Sequence, residues 1–275
     1  MNKNVTRWCS VAGMEDKVKT FTAEERKNFI VSHVKENEFV DISYLKNALK
    51  VSEMTIRRDL KKLEDDNALV RVLGGARCMP NGTFEAPVDK RVKFHSAEKD
   101  KVARYAASLI REGDSIFMDA SSTIYAMVPY LDVEMTVITN NISICTRLKD
   151  NEKIKVILLG GSLRRSAMSL VGQETIHMIG HYFVDKAFLS SKAVDDEYGI
   201  YDATADEAEV KKAMMASSGE TFFLMDHYKL KSRAFYKVCD IEDTEGLIVD
   251  RVQDTYVQEF LSACQKKNYN IHCVD

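Results

Sequence analysis

The chain has 275 residues, 45% of them hydrophobic and 29% charged, with 39 basic against 42 acidic side chains and a formal charge of −3. At about 100–200 residues per domain, this length suits two domains or one large one, with a globular rather than a disordered composition. The near-neutral balance excludes a protein that coats nucleic acid uniformly with positive charge, so any contact with DNA has to come from a local basic face.

No run approaches about 18 consecutive apolar residues, so no transmembrane helix and no membrane partner is expected. Residues 1–20 form an N-terminal extension that carries scattered charge and lacks the apolar stretch of a secretory signal. The six cysteines, Cys9, Cys78, Cys145, Cys239, Cys264 and Cys273, form no CxxC pair and are expected as free thiols in the cytoplasm. His177 and His181, four apart on an expected helix, make no metal motif by themselves, so neither a metal nor a cofactor is expected.

Helical periodicity marks residues 23–36, 41–50 and 53–66, and a glycine-containing run over 68–77 reads as a small hairpin. Three helices and a hairpin make the layout of a winged helix-turn-helix, whose second motif helix enters the major groove. On the helix from residue 53, Ile56, Leu60 and Leu63 share one face at about 100° per residue. Arg58, Lys61 and Lys62 fall opposite them, flanked by Arg57 and Thr55, while Asp59 and Glu64 turn toward the core side. Arginine suits the guanine edge and lysine suits phosphate. Arg71 and Arg77 bracket the hairpin, and Gly74-Gly75 is expected to let the DNA backbone approach closely. Residues 21–80 carry eleven basic and ten acidic side chains, so even this region is a reader with one basic face.

The run MPNGTFEAP (79–87) holds two of the three prolines, Pro80 and Pro87, and reads as part of a linker over 78–90. Beyond it, helices are expected at 97–111, 124–131, 142–149 and 206–217. Strands are expected at 115–118, 136–139, 155–159, 186–189, 221–225 and 246–249, before a C-terminal helix. This βα alternation predicts an α/β fold, a doubly wound parallel sheet over 91–275 following a winged helix-turn-helix domain over 21–77. Ligands of open α/β sheets sit beyond the carboxyl ends of the strands. Those ends carry Asp119 to Thr123, Thr139 to Asn141, Gly160 to Ser162, Ser190 to Lys192 and Asp226 to Lys229. Ser121, Ser122 and Thr123 offer hydroxyls and amides as a phosphate cradle, Lys229 a neutralising charge, and Asp119 and Asp226 acceptors for sugar hydroxyls.

The segments VSEMTIRRDLKKLE (51–64) and RVLGGA (71–76) closely resemble the DeoR family of bacterial transcriptional regulators, with Leu73 where the family usually carries histidine. Glu98-Lys99, the Asp119 loop, Thr139-Asn140, LLGG (158–161), DEAEVK (206–211) and Asp226-His227-Tyr228-Lys229 extend the resemblance over about residues 21–252. It implies a sensor domain like ribose-5-phosphate isomerase, with a double-stranded DNA operator and a phosphorylated sugar or related metabolite as partners. It also implies a dimer or tetramer and repression of carbohydrate genes. DNA contacts are expected at Ser52, Thr55, Arg57, Arg58, Lys61, Lys62, Arg71, Gly74, Gly75 and Arg77. By similarity, effector contacts fall on Asp119, Ser121, Ser122, Thr123, Asn140, Gly160, Glu207, Lys211, Asp226 and Lys229, with no catalytic residue. Here Asp119 to Thr123 replaces the family's D-A-G-T-T, and Asp226 to Lys229 its D-S-S-K. Two other classes remain beside the regulator. One is a sugar-phosphate isomerase using Asp119 or Glu207 as base with Lys229; the other is a metabolite-binding protein with a vestigial reader.

Overall fold

The computed structural model describes residues 21–37, 39–65, 68–72, 74–77, 88–93 and 95–275. The expectations for residues 1–20, Leu73, Cys78, Pro80 and Pro87 lie outside them. The N-terminal elements are α1 (Ala23–Asn37), β1 (Phe39–Asp41), α2 (Ile42–Leu49), α3 (Glu53–Asp65), β2 (Val70–Val72) and β3 (Gly75–Arg77). Ile56, Leu60 and Leu63 of α3 are buried with Ile30 and Val34 of α1 and Leu45 and Leu49 of α2, as the periodicity requires. Asp41 caps α2 by accepting the Tyr44 N–H at 2.5 Å. Lys50, at φ 51°, turns the chain between α2 and α3, and the Ser52 hydroxyl accepts the Thr55 N–H at 3.2 Å. Asp59 is buried where Arg26 Nε reaches it at 2.7 Å.

The wing is a three-stranded sheet in the order β1-β3-β2, antiparallel throughout. Strand β1 has no signal in the sequence, because a three-residue strand whose partners, Gly75 to Arg77, lie far along the chain leaves no local period. Gly74 takes φ 71° in the turn between β2 and β3. At Gly75 a Cβ would overlap Val40 O and the Phe39 ring. The missing side chain at Gly75 therefore makes room for β1.

The remaining elements are α4 (Val88–Lys93), α5 (Ser96–Ser108), β4 (Ser115–Met118), α6 (Ser122–Tyr125), β5 (Met135–Thr139), α7 (Ile142–Leu148) and β6 (Ile154–Leu158). Then come β7 (Ser162–Arg164), β8 (Ser169–Val171), α8 (Gln173–Ile179), β9 (Val184–Leu189), β10 (Ala193–Asp195), β11 (Gly199–Asp202) and α9 (Ala205–Ala216). Last are β12 (Ser218–Met225), β13 (Tyr236–Cys239), β14 (Gly246–Asp250), α10 (Thr255–Lys266) and β15 (Ile271–Val274). Seven strands form a parallel sheet in the order β15-β14-β12-β9-β4-β5-β6. Successive side chains point to opposite faces: Phe117 packs with Phe223 and α9, while Ile116 and Met118 pack with Leu224 and α5. Both faces are covered, as a parallel sheet requires. The expected helix 124–131 is split into α6 and a 3₁₀ turn at Val128–Tyr130 containing Pro129. The expected linker ends in α4, whose Val88 is buried and donates its N–H to Ser166 O at 2.9 Å.

The chain runs outward from β4 through β5 to β6, then returns to place β9 on the other side of β4 and continues outward to β15. The reversal between β4 and β9 opens a crevice at their carboxyl ends, where such sheets bind ligands. Beside it lie a small antiparallel sheet, β10-β11-β13, and the β7–β8 hairpin. Among the described residues no helix is long and apolar enough to cross a membrane.

The Arg26–Asp59 pair joins α1 to α3 in the reader core, and removing one partner leaves the other charge buried. Asp59→Asn is expected to destabilise the helical unit by about 3–5 kcal/mol in denaturant titration, leaving the transition of the seven-stranded sheet in place.

Candidate functional site

At the β4–β9 reversal lies a cleft of about 810 Å³ including its open mouth. Its floor is built on Lys211 of α9, a buried ammonium 2.9 Å from Asp202, 3.2 Å from Asp119 and 3.8 Å from Glu207. Burial alone would lower the lysine pKa, but Asp202, Asp119 and Glu207 outweigh it and hold the group protonated. Asp119, at the end of β4, accepts the Ser121 N–H at 3.0 Å on one oxygen and the Ser190 N–H at 3.0 Å on the other. Glu207 takes Ser169 Oγ at 2.6 Å and Arg164 at 3.2 Å from the β7–β8 hairpin.

Above this floor the charge is mainly positive. Lys229 Nζ donates to Ser190 Oγ at 3.0 Å and to Thr123 Oγ1 at 3.4 Å, and lies 3.9 Å from Asp226. Burial pushes the Lys229 pKa down against the pull of Asp226. Burial works to raise the Asp226 pKa, yet Lys229, Lys99, His95 and Arg77 together hold it below the usual carboxylate range. Lys99 donates to Arg91 O at 2.5 Å. An ionised Asp226 ringed by cations, beside the Lys211 cluster, makes a pocket for a ligand with both hydroxyls and negative charge.

The structure brings Ser121, Ser122, Glu207, Lys211, Asp226 and Lys229 to the cleft wall. Asp119 lies beneath it, with both oxygens occupied by amides and Lys211, and Thr123 reaches it through Lys229. Asn140 and Gly160 stand apart: Asn140 Nδ2 donates to Leu170 O at 3.0 Å, and Gly160 O accepts from Thr175 Oγ1 at 2.6 Å. Both follow strands β5 and β6 on the far side of β4 from the reversal, so a wall position for them is corrected. The wall also includes Phe39, Arg77, Arg91, His95, Asp202 and Tyr228. Of these, the sequence marks Arg77 as a DNA contact and Tyr228 as a departure from the family's D-S-S-K, and it gives no signal for the other four.

On the reader, Arg57, Arg58, Lys61 and Lys62 are exposed on the face of α3 opposite its core. Arg57 pairs with Glu53 at 2.7 Å, and Arg71 with Glu64 at 2.6 Å. Burial works to raise the Glu64 pKa, but Arg71 holds it low. Exposed pairs of this kind are worth little and can be exchanged for phosphate. Arg77 differs from the expectation. Its guanidinium donates to Tyr228 O at 3.3 Å, Ser232 Oγ at 3.2 Å and Lys192 O at 3.2 Å, so it faces the sheet domain rather than a DNA groove.

Two family models match this arrangement: the DeoR-like helix-turn-helix domain over residues 26–81 and the DeoR C terminal sensor domain over residues 94–251. The chain belongs to the DeoR family. It is 37% identical over 230 residues to the HTH-type transcriptional repressor GlcR of Bacillus subtilis (strain 168), covering 83% of this chain and 89% of that one. It is 27% identical over 240 residues to the glycerol-3-phosphate regulon repressor of Escherichia coli (strain K12), covering 86% and 95%. A ribose 5-phosphate isomerase A from Methanocaldococcus jannaschii aligns at 19% identity over 48% of this chain and 53% of its own, with a TM-score of 0.36. The DeoR chain is thus a DNA-binding transcriptional regulator.

In this DeoR chain the loop from Asp226 also carries His227, which is buried and bound to Asp250 twice: through its N–H at 2.7 Å and its Nδ1 at 2.6 Å. Burial lowers the imidazole pKa, but Asp250, Asp226 and Glu98 raise it above the ordinary histidine value. A pKa raised by folding gives stability that is complete below the unfolded value, about 6.5, and is lost as pH rises through the folded value. Scanning calorimetry is expected to show wild-type protein losing thermal stability relative to His227→Asn from about pH 6.5 upward. Parallel curves for the two proteins above that pH would sink this assignment.

Proposed function

We propose that this DeoR-family protein is a repressor of carbohydrate genes whose operator affinity is set by a phosphorylated sugar or polyol bound in the β4–β9 cleft. It acts in the cytoplasm as a dimer or tetramer. The domains divide as reader 21–77, linker 78–90 and sensor 91–275, with residues 1–20 as an extension. The observation that carries this reading is the cleft itself. Lys229, beside the hydroxyls of Thr123 and Ser190, places charge for a phosphate, and the carboxylates of Asp226 and Asp202 place acceptors for hydroxyls. Relatives named as repressors, one of them of a glycerol-3-phosphate regulon, support the same class of effector.

A non-enzymatic role is favoured by the state of the candidate bases. Asp119 has both oxygens held by amides and by Lys211, and Glu207 is held by Ser169, Arg164 and Lys211. A general base needs an oxygen within reach of a substrate proton. These carboxylates instead serve the geometry of the cleft.

For the reader, fluorescence anisotropy on the chain's own upstream DNA against random duplex is the direct test. Arg58→Ala is expected to lose about 1–3 kcal/mol of sequence discrimination. Lys62→Ala should weaken both duplexes alike and flatten the salt dependence by about one charge. Equal affinity of the wild type for both duplexes overturns the regulator reading. For the sensor, thermal shift with glycerol 3-phosphate, glucose 6-phosphate and ribose 5-phosphate is expected to show stabilisation by at least one of them. At a hundredfold excess over Kd the gain is about 2.7 kcal/mol, and it should vanish in Lys229→Met.

A further inference from the structure

The cleft has a wall that the sensor domain does not supply. Phe39 of β1 and Arg77 of β3 line it together with Arg91, His95, Tyr228 and Lys229. Tyr228 sits at the seam: its ring centroid lies 3.8 Å from that of His95 and 4.9 Å from that of Phe39, and its carbonyl accepts from Arg77. A Cβ at Gly74 in the wing turn would lie within van der Waals distance of a ring carbon of Tyr228. The bulk that replaces the family's small residue at 228 is therefore seated against the wing. Arg77 is fixed there by its bonds to Tyr228 O, Ser232 and Lys192 O, Tyr228 preceding Lys229 directly and Ser232 donating to Lys229 O.

We propose that the anionic group of the effector is bound between the two domains, by Arg77 of the wing together with Arg91 and Lys229 of the sensor. The inference rests on the effector reading above and adds to it the reader's own share of the site. Arg77, Arg91 and Lys229 all line this one cleft and bring three positive charges to it, as a phosphate monoester requires. The polyol end of the ligand then points to Asp202 at the Lys211 floor. Arg77 belongs to the strand that pairs with both β1 and β2, so a ligand that engages it acts on the wing without an intermediate element. Coupling of this kind is reciprocal: DNA that repositions the wing changes effector affinity by the same factor as effector changes DNA affinity.

The test is titration calorimetry of the full chain with glycerol 3-phosphate, glucose 6-phosphate and inorganic phosphate at several salt concentrations. Wild type is expected to bind at least one of the esters. Arg77→Gln should bind it about tenfold more weakly, with a flatter salt dependence, while Arg77→Lys keeps the steep one. Wild-type protein supplies a second reading independent of folding effects: phenylglyoxal labelling of Arg77, followed by mass spectrometry, should fall when the ester is bound. If Arg77→Gln matches wild type in affinity and salt slope and labelling is unprotected, while Lys229→Met loses binding, the shared site is overturned and the sensor reading stands. If wild type binds none of the three probes, both fall.

Discussion

A single buried ammonium surrounded by three carboxylates sets the geometry on which the rest of the sensor depends. Lys211 comes from α9, Asp119 from the end of β4, Asp202 from β11 and Glu207 from one turn before it on the same helix. Withdrawing the cation would leave three anions facing one another out of water. A cluster of this kind gives little net stability but tolerates few alternative arrangements. Its outer bonds extend that constraint: Asp119 fixes the amides of Ser121 and Ser190, and Glu207 draws in Ser169 and Arg164. Strands β4 and β9, the side sheet and the hairpin are thereby held at one point, the point where the sheet order reverses.

The reader meets this floor at a seam in which one short strand serves two purposes. In β1, Phe39 packs on Tyr228 and His95, while Asp41 accepts the Tyr44 N–H at the start of α2. Helix α2 shares its core with α3 through Leu45, Leu49, Ile56 and Leu60. A change at the seam thus reaches the recognition helix through a cap and a packed core. Burial pushes the Tyr228 hydroxyl up to about 12, with Glu98, Asp41 and Asp226 adding to it, so the seam residue stays neutral. Burial lowers the His95 pKa against the pull of Asp226.

Much of the architecture was legible because its causes are local. The helix 53–66 declares its buried face through Ile56, Leu60 and Leu63, and residues 115–118 form a strand with those bounds because an apolar run meets polar residues at both ends. Strands β1, β7, β8, β10, β11, β13 and β15 have no counterpart among the expected strands, since three or four residues carry no period of their own. The same distinction divides the site. Polar loops after apolar strands pointed to Ser121, Asp226 and Lys229, but the order of strands is a tertiary fact, and it left Asn140 and Gly160 on the wrong side of β4. Arg77 shows the limit most plainly. A wing arginine satisfies a DNA-binding pattern whichever way it faces, and only the docking of two domains turned it toward Lys192 O and Tyr228 O.

That docking also orders events in time. Arg77 bonds to groups 115, 151 and 155 positions further along the chain. The core of the reader, by contrast, is complete within its first few dozen residues. At a synthesis rate of about 5–20 residues per second, the seam cannot form until on the order of ten seconds after the reader has left the ribosome. During that interval a nascent chain carries a folded basic helix with no Tyr228 loop beside it. Under the shared site proposed above, each molecule begins its life as an unregulated DNA reader and comes under control of a small molecule only once the loop is docked on the wing.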